Sequence, residues 1–262
     1  MKGLCKITFL FFVALLLAHL SFSQTVDSTK KIDNTNAAHF GGAVSVTSNG
    51  ISIVPSFSLG KPAAIFNLSM AKNRFSFEPD LRFSVAGKPW SFLFWGRYNV
   101  VTNDKFQMNA GTHLGLNFKT SVEPIHGDSS EVTITRRYLA GELFPRYSLT
   151  KHIGIGIYYL YSHGLDPGTI KNTNFVTLNT NFSNIKLSNQ FFINVNPQFY
   201  YLKLDEEDGF YFTSSFSVAK KNFPLFVSAI INKVISTHIT GSKDFVWNVS
   251  LVYSFGNRYV KL

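Results

Sequence analysis

Only one cysteine, Cys5, occurs in the chain, and it stands within the short apolar stretch near the N-terminus, too early for the acylated cysteine of a lipoprotein. The rest of the chain therefore has no thiol nucleophile, no thiolate metal site and no disulfide framework, which suits export through an oxidising periplasm. Acidic residues are also few, 15 Asp and Glu against 25 Lys and Arg, for a formal net charge of +10. The basic residues are spread among turns and strand faces with no concentrated run or recognisable motif, so nucleic-acid binding is not expected. After Leu20 no segment is long and apolar enough to span a membrane as a helix. His113, His126, His152 and His238 have no metal-ligand spacing, and neither a phosphate-cradling loop nor a dinucleotide fingerprint is present. No metal or cofactor is expected.

What the chain has in excess is aromatics, 27 Phe and 11 Tyr, and they recur with a period of two. From Arg74 to Val85, Phe75, Phe77, Leu81, Phe83 and Val85 alternate with Ser76, Glu78, Asp80, Arg82 and Ser84. The same pattern runs through Phe106 to Phe118 and again through Phe245 to Phe255. Repeated strands with aromatics on one face and Asn, Ser, Thr, Gly and ions on the other describe a wall with lipid outside and water inside.

The first residues supply a matching address. Lys2 and Lys6 precede and open an apolar run from Ile7 to Leu20, and Ser21-Phe22-Ser23 ends it with small residues at the positions a signal peptidase reads. Residues 1–23 read as a signal peptide cleaved before Gln24, 24–38 as a disordered leader, and 39–262 as the barrel. Strands are expected near 51–59, 63–71, 74–85, 90–101, 105–119, 131–148, 153–163, 173–183, 189–204, 209–219, 225–235 and 244–255. Residues 39–47 also alternate and meet Ile51 through a Ser48-Asn49-Gly50 hairpin signal. Counting them separately gives an odd number of strands, so they are read as lengthening the first strand or lying at the periplasmic mouth.

With 51–59 running outward, the longer connections fall on the outer side and the short turns inside. The outer loops then carry Glu123, Asp128, Glu131, Asp166, Asp205 to Asp208 and Asp244, an acidic rim open to solvent, divalent cations or cation-bridged lipopolysaccharide. Pro55, Pro79, Pro145 and Pro197 fall on the lipid face, where bulges or bends are expected. The lumen is expected to have one ionic wall, with Glu78, Asp80, Arg82, Arg97, His113, Arg136, Glu142 and Arg146 inward, and one neutral wall rich in Asn, Gln, Ser and Thr. Arg and carboxylate groups either pair across the lumen and fill it or form a constriction that selects permeants by charge.

The signal peptide, the alternating strands and a final strand carrying Tyr253 and Phe255 resemble Gram-negative outer-membrane β-barrel proteins over nearly all of the mature chain. Such barrels commonly finish near the terminal aromatic, whereas seven residues follow Phe255 here. The resemblance implies an all-β transmembrane antiparallel barrel of about twelve strands, porin-like, in contact with lipid and lipopolysaccharide. Its expected role is a non-enzymatic passive channel or small-solute transporter. The alternative is a closed structural or docking barrel that binds another envelope component. Outer-membrane phospholipase A offers a third reading, because its His-x-Ser-Asn-Gly stretch is matched in part by Val46-Thr47-Ser48-Asn49-Gly50. Val46 stands where that family has its base, and Ser162-His163 is the other possible fragment of such a hydrolase.

Overall fold

A computed structural model describes residues 38–125 and 128–259; the expected signal peptide and nearly all of the leader lie outside the described residues. The chain forms twelve strands: β1 (Ala38–Thr47), β2 (Ala63–Lys72), β3 (Phe75–Ser84), β4 (Pro89–Thr102), β5 (Phe106–Ile125), β6 (Asp128–Ser148), β7 (Ile153–Gly164), β8 (Asn172–Lys186), β9 (Phe191–Leu204), β10 (Glu207–Lys220), β11 (Leu225–Thr237) and β12 (Phe245–Tyr259). Each pairs with its neighbours in sequence and β1 pairs with β12, closing an antiparallel barrel. Closure leaves no sheet edge in lipid, where an unpaired backbone group costs several kcal/mol.

The wall has the predicted polarity. Leu143, Ile157, Leu178, Phe199, Val227, Trp247 and Leu251 are large, apolar and exposed, whereas Tyr211 and Leu202, on the inner face, are 1% and 0% exposed. An aqueous protein would invert that arrangement; a band of exposed aliphatic and aromatic side chains around a closed barrel is the lipid face.

The first strand is a correction. Residues 38–47 are β1, and 51–59 is not a strand at all: it is a loop with one 3-10 turn at Pro55–Phe57. Both segments alternate, but only 38–47 finds partners on two sides, β2 and β12. Gly50 then pinches the loop shut, giving its N–H to the Lys61 carbonyl at 2.8 Å and taking those of Leu59 and Gly60 at 2.9 and 3.1 Å. The strand count and the two sides of the wall are unchanged, because one segment replaces the other in the ring.

The prolines also depart from expectation. Pro55 lies in the 3-10 turn, off the wall. At Pro79, Pro145 and Pro197 the register does not shift; instead the ladder to one neighbour skips rungs while the ladder to the other continues through the proline. A residue without an N–H forfeits a ladder bond on one side only, and the wall tolerates that without bending. The irregularities fall elsewhere, at Arg82/Phe83, Asn99/Val101, Phe182/Ile185 and Phe210/Tyr211.

The outer loops use their carboxylates on one another. Arg137 donates to Asp166 through its guanidinium at 2.6 Å and through its backbone N–H at 2.6 Å. Those bonds, the side-chain one first, hold the Asp166 carboxyl below the usual carboxylate range. Its contribution is present at neutral pH and is lost only as the pH falls through that lowered value. Asp205 accepts from the Lys171 and Asn172 amides, Glu207 from Thr240, Asp208 from Tyr201, and Lys88–Glu131 and Lys233–Asp244 pair. These acidic residues tie loop to loop, and among the described residues no group of three His, Cys, Asp or Glu is placed to hold a metal ion.

Candidate functional site: a belt around the lumen

The ionic wall occupies four adjacent strands, β3 to β6. Arg97 on β4 is its centre: Nε donates to Glu142 Oε1 at 2.5 Å, Nη2 reaches Oε2 at 3.4 Å, and Nη1 pairs with Glu78 on β3. Glu142 lies two strands from Arg97, and the register explains how the two meet. Arg97 stands opposite Gly111 on β5, and Gly111 stands opposite Glu142 on β6. A Cβ at Gly111 would lie 2.9 Å from Glu142 Oε1 and 3.0 Å from Arg97 Cγ, so the ion pair passes over the strand through the space a side chain would fill. Gly111→Ala is therefore expected to prise the pair apart and to cost about 1–3 kcal/mol, the range for an extra methyl in a packed site. Urea denaturation of the folded protein, followed by heat-modifiable gel mobility, measures it.

Other members have separate partners. Asp80 takes Arg82 on its own strand, Nε at 2.9 Å and Nη2 at 2.6 Å. These two and the Glu78–Arg97 pair are the partners expected from same-face spacing. Arg97 lies 4.2 Å over the Trp95 ring, which in turn packs 4.0 Å from His113. Arg146 has no carboxylate among the described residues; it donates to Gln107 Oε1 at 3.2 Å and lies 4.9 Å over Phe144. Arg136 is set apart. It stands opposite Asn117, at the end of the β4–β5 pairing and beyond Tyr138, where pairing of β6 with β7 ends. Six residues along β6 place it about 20 Å from Glu142, at the outer rim.

The expectation of charges pairing across the lumen is not met: among the described residues the ion pairs of this wall lie within one strand or between strands of the same side. Neighbouring strands are about 5 Å apart, so register brings partners together sideways before a side chain can reach the far wall.

A second set of residues continues the ring. Tyr158 on β7 donates to Glu142 Oε2 at 2.6 Å. From Tyr158, ring contacts pass to Phe175 at 5.9 Å, to Tyr200 at 5.1 Å, and to Tyr211, stacked at 4.8 Å and 10°. Ions on β3 to β6 and rings on β7 to β10 thus form one belt. Below the rings, towards the periplasmic end, the inward positions of β8 to β10 include Asn179, Asn181, Asn194, Asn196, Gln198, Thr213, Ser215 and Ser217, with Lys186, Phe192 and Ala219 at the very end.

What crosses the lumen is the loop at 48–62. Phe57 packs on Tyr138 at 5.0 Å and its carbonyl accepts from Trp90 Nε1 at 2.7 Å, on β6 and β4. Val54 is buried in the cluster of Phe175, Tyr200, Leu202, Tyr211 and Ile239. Those strands lie nearly opposite β4 in ring order, so the loop tip reaches both walls. Sequence reasoning missed this tip. The available signal was Pro55 inside a supposed strand, bracketed by Gly50 and Gly60-Lys61-Pro62.

Among the described residues neither serine raised by the phospholipase comparison is hydrogen-bonded to a histidine. Ser48 Oγ meets Asn248 at 3.4 Å and the Val249 N–H at 3.1 Å, and His39 is at the far end of β1. Ser162 and His163 are consecutive on β7 and so face opposite sides of the wall.

No family model matches this chain, and no curated protein does. Among solved structures it is similar to a KdgM porin in complex with disordered oligogalacturonate, at 12% identity and a TM-score of 0.52 over 83% of this chain and 99% of that one. It is similar to a KdgM porin structure without that ligand named, at 12% identity and 0.51 over 82% and 99%. The NanC porin is a further likeness, at 10% identity and 0.47 over 84% and 100%. With the lipid face and the closed ring, the two KdgM likenesses identify the fold as a porin-like transmembrane β-barrel of twelve strands.

Proposed function

We propose that the chain is a non-enzymatic passive channel for small solutes in the outer membrane, narrowed by the belt and by the tip of the 48–62 loop. One observation carries this reading: the closed ring has polar side chains at inward positions on both walls below the loop. Polar side chains lining the space below the loop keep it wettable, which passage of a hydrated solute requires. The constriction comprises Glu78, Arg97 and Glu142, with Asp80, Arg82 and His113 beside them and Arg146 on the periplasmic side; Arg136 belongs to the outer entrance. Paired ions at a narrow point present opposed fields to a solute that is shedding water.

The loop tip favours a second reading, a closed barrel that docks another envelope component, because the tip touches both walls. Planar-bilayer recording of refolded protein separates the two. Stable unitary conductance steps are the expected result. Silence from protein shown to be folded by its heat-modifiable mobility would overturn the channel and leave the docking reading.

A further inference from the structure

We infer that the neutral wall formed by β8 to β11 is a binding track for an uncharged oligosaccharide, with the seat of the loop tip as its outer end. The inference rests on the channel reading and gives it a substrate class.

The wall offers two kinds of contact in sequence. Between β9 and β10, successive inward rungs are Asn194 with Ser217, Asn196 with Ser215, Gln198 with Thr213, and Tyr200 with Tyr211. Asn196 Nδ2 gives one N–H to Ser215 Oγ at 3.1 Å, leaving its carbonyl and second N–H for another partner. Gln198 is half-buried and has no side-chain hydrogen bond among the described residues. These are matched donors and acceptors carrying no charge, and between Glu207 at the outer end and Lys186 at the periplasmic end no Asp, Glu, Lys or Arg occupies an inward position on the paired stretch of β8 to β11.

Above the amides the chemistry changes. Tyr200 and Tyr211 stack, the Tyr200 hydroxyl donates a hydrogen bond to Asn232 Oδ1 at 2.9 Å, and Phe175 meets its ring at 5.1 Å. Flat aromatic surface followed by a row of amides and hydroxyls suits a pyranose chain. Its C–H faces lie on rings and its hydroxyls both donate and accept, whereas an ionic solute would lose hydration here without gaining a counter-charge. Val54 already rests on this aromatic surface. A sugar ring would take its place, so binding at the outer end and release of the loop tip draw on the same contacts and are coupled.

Isothermal titration of folded, detergent-solubilised protein with maltohexaose tests this, with hexagalacturonate as the charged comparison. Maltohexaose is expected to bind, with affinity unchanged between about 0.1 M and about 1 M salt. The double variant Asn196→Leu, Gln198→Leu should weaken it about tenfold or more, since polar ligand groups are then left unpaired. Lys233→Gln, on the outer rim, should not alter it. If maltohexaose fails to bind both the wild type and a protein lacking residues 51–59, the track is refuted. It is equally refuted if hexagalacturonate binds more tightly and its binding collapses with salt. Binding needs no pore, so binding without conductance would sink the channel reading alone, and conductance without binding would sink the track alone.

Discussion

Excising residues 51–59, with Gly50 joined to Gly60 through two glycines, is expected to raise unitary conductance several-fold while leaving the barrel folded. The geometry of the loop's neck makes the excision mild. The Gly60 N–H already bonds the Gly50 carbonyl at 3.1 Å, so the ends to be joined are adjacent, and Thr47 remains opposite Ala63 at the end of the β1–β2 ladder. What is removed is the only chain that the described residues place across the lumen, held by Val54 and Phe57 and one side-chain hydrogen bond from Trp90. Burying two such side chains contributes about 3–5 kcal/mol. That is enough to keep the tip seated most of the time and small enough for a ligand to reverse. A companion experiment holds the tip in place. Phe57→Cys with Tyr138→Cys, bridged by a reversible bis-thiol reagent, should give the lowest conductance, restored on reduction. Conductance that ignores both excision and bridging would take the loop out of the solute path.

Arg97→Met should destabilise the barrel by on the order of 3 kcal/mol, the lower end of the cost of breaking a buried pair. The Glu142 side chain is 2% exposed and would be left with only the Tyr158 hydroxyl as a partner. Glu78, 30% exposed, can turn to lumen water, which is why the higher end of the range is not expected. Adding Glu142→Gln to Arg97→Met should recover most of the loss, because the buried carboxyl left without its guanidinium partner goes with it. Urea midpoints of the two variants provide the comparison. The single variant should also move ion selectivity towards cations, since one cation between two carboxylates becomes two carboxylates alone. A single variant within about 0.5 kcal/mol of wild type would show that water, not Arg97, balances Glu142.

The wall was legible in the sequence because a period of two is local information. Phe75 to Ser84 or Phe245 to Phe255 carries its inside and outside without reference to any other strand. The choice between 38–47 and 51–59 was not legible in that way. Both alternate, and only the hydrogen-bond partners on β2 and β12 distinguish a strand from a loop that looks like one. The same limit governs the site. Asp80 with Arg82, two residues apart on one face, could be read directly, and so could Glu78 with Arg97 on strands joined by one turn. Glu142 meeting Arg97 over Gly111 required the register of three strands, and Arg136 was misplaced because alternation gives the face but not the height. The prolines failed as markers of bends for a physical reason: a lost N–H matters to one neighbour, and the other ladder carries the register through.

The crossing loop has a bearing on the order of assembly. It is made between the first two strands, yet the half of its seat under Val54 is built from β8 to β10, which come late in the chain. If strands are added in order from β1, Phe57 finds Trp90 and Tyr138 once β4 and β6 are in place, but Val54 has no surface to rest on until β8 to β10 arrive. Seating the tip is a long-range event that comes with or after closure of the wall, with the slow kinetics that non-local contacts impose. The crossing is thus complete only with the finished ring, and the contact that spans the lumen is among the last the chain can make.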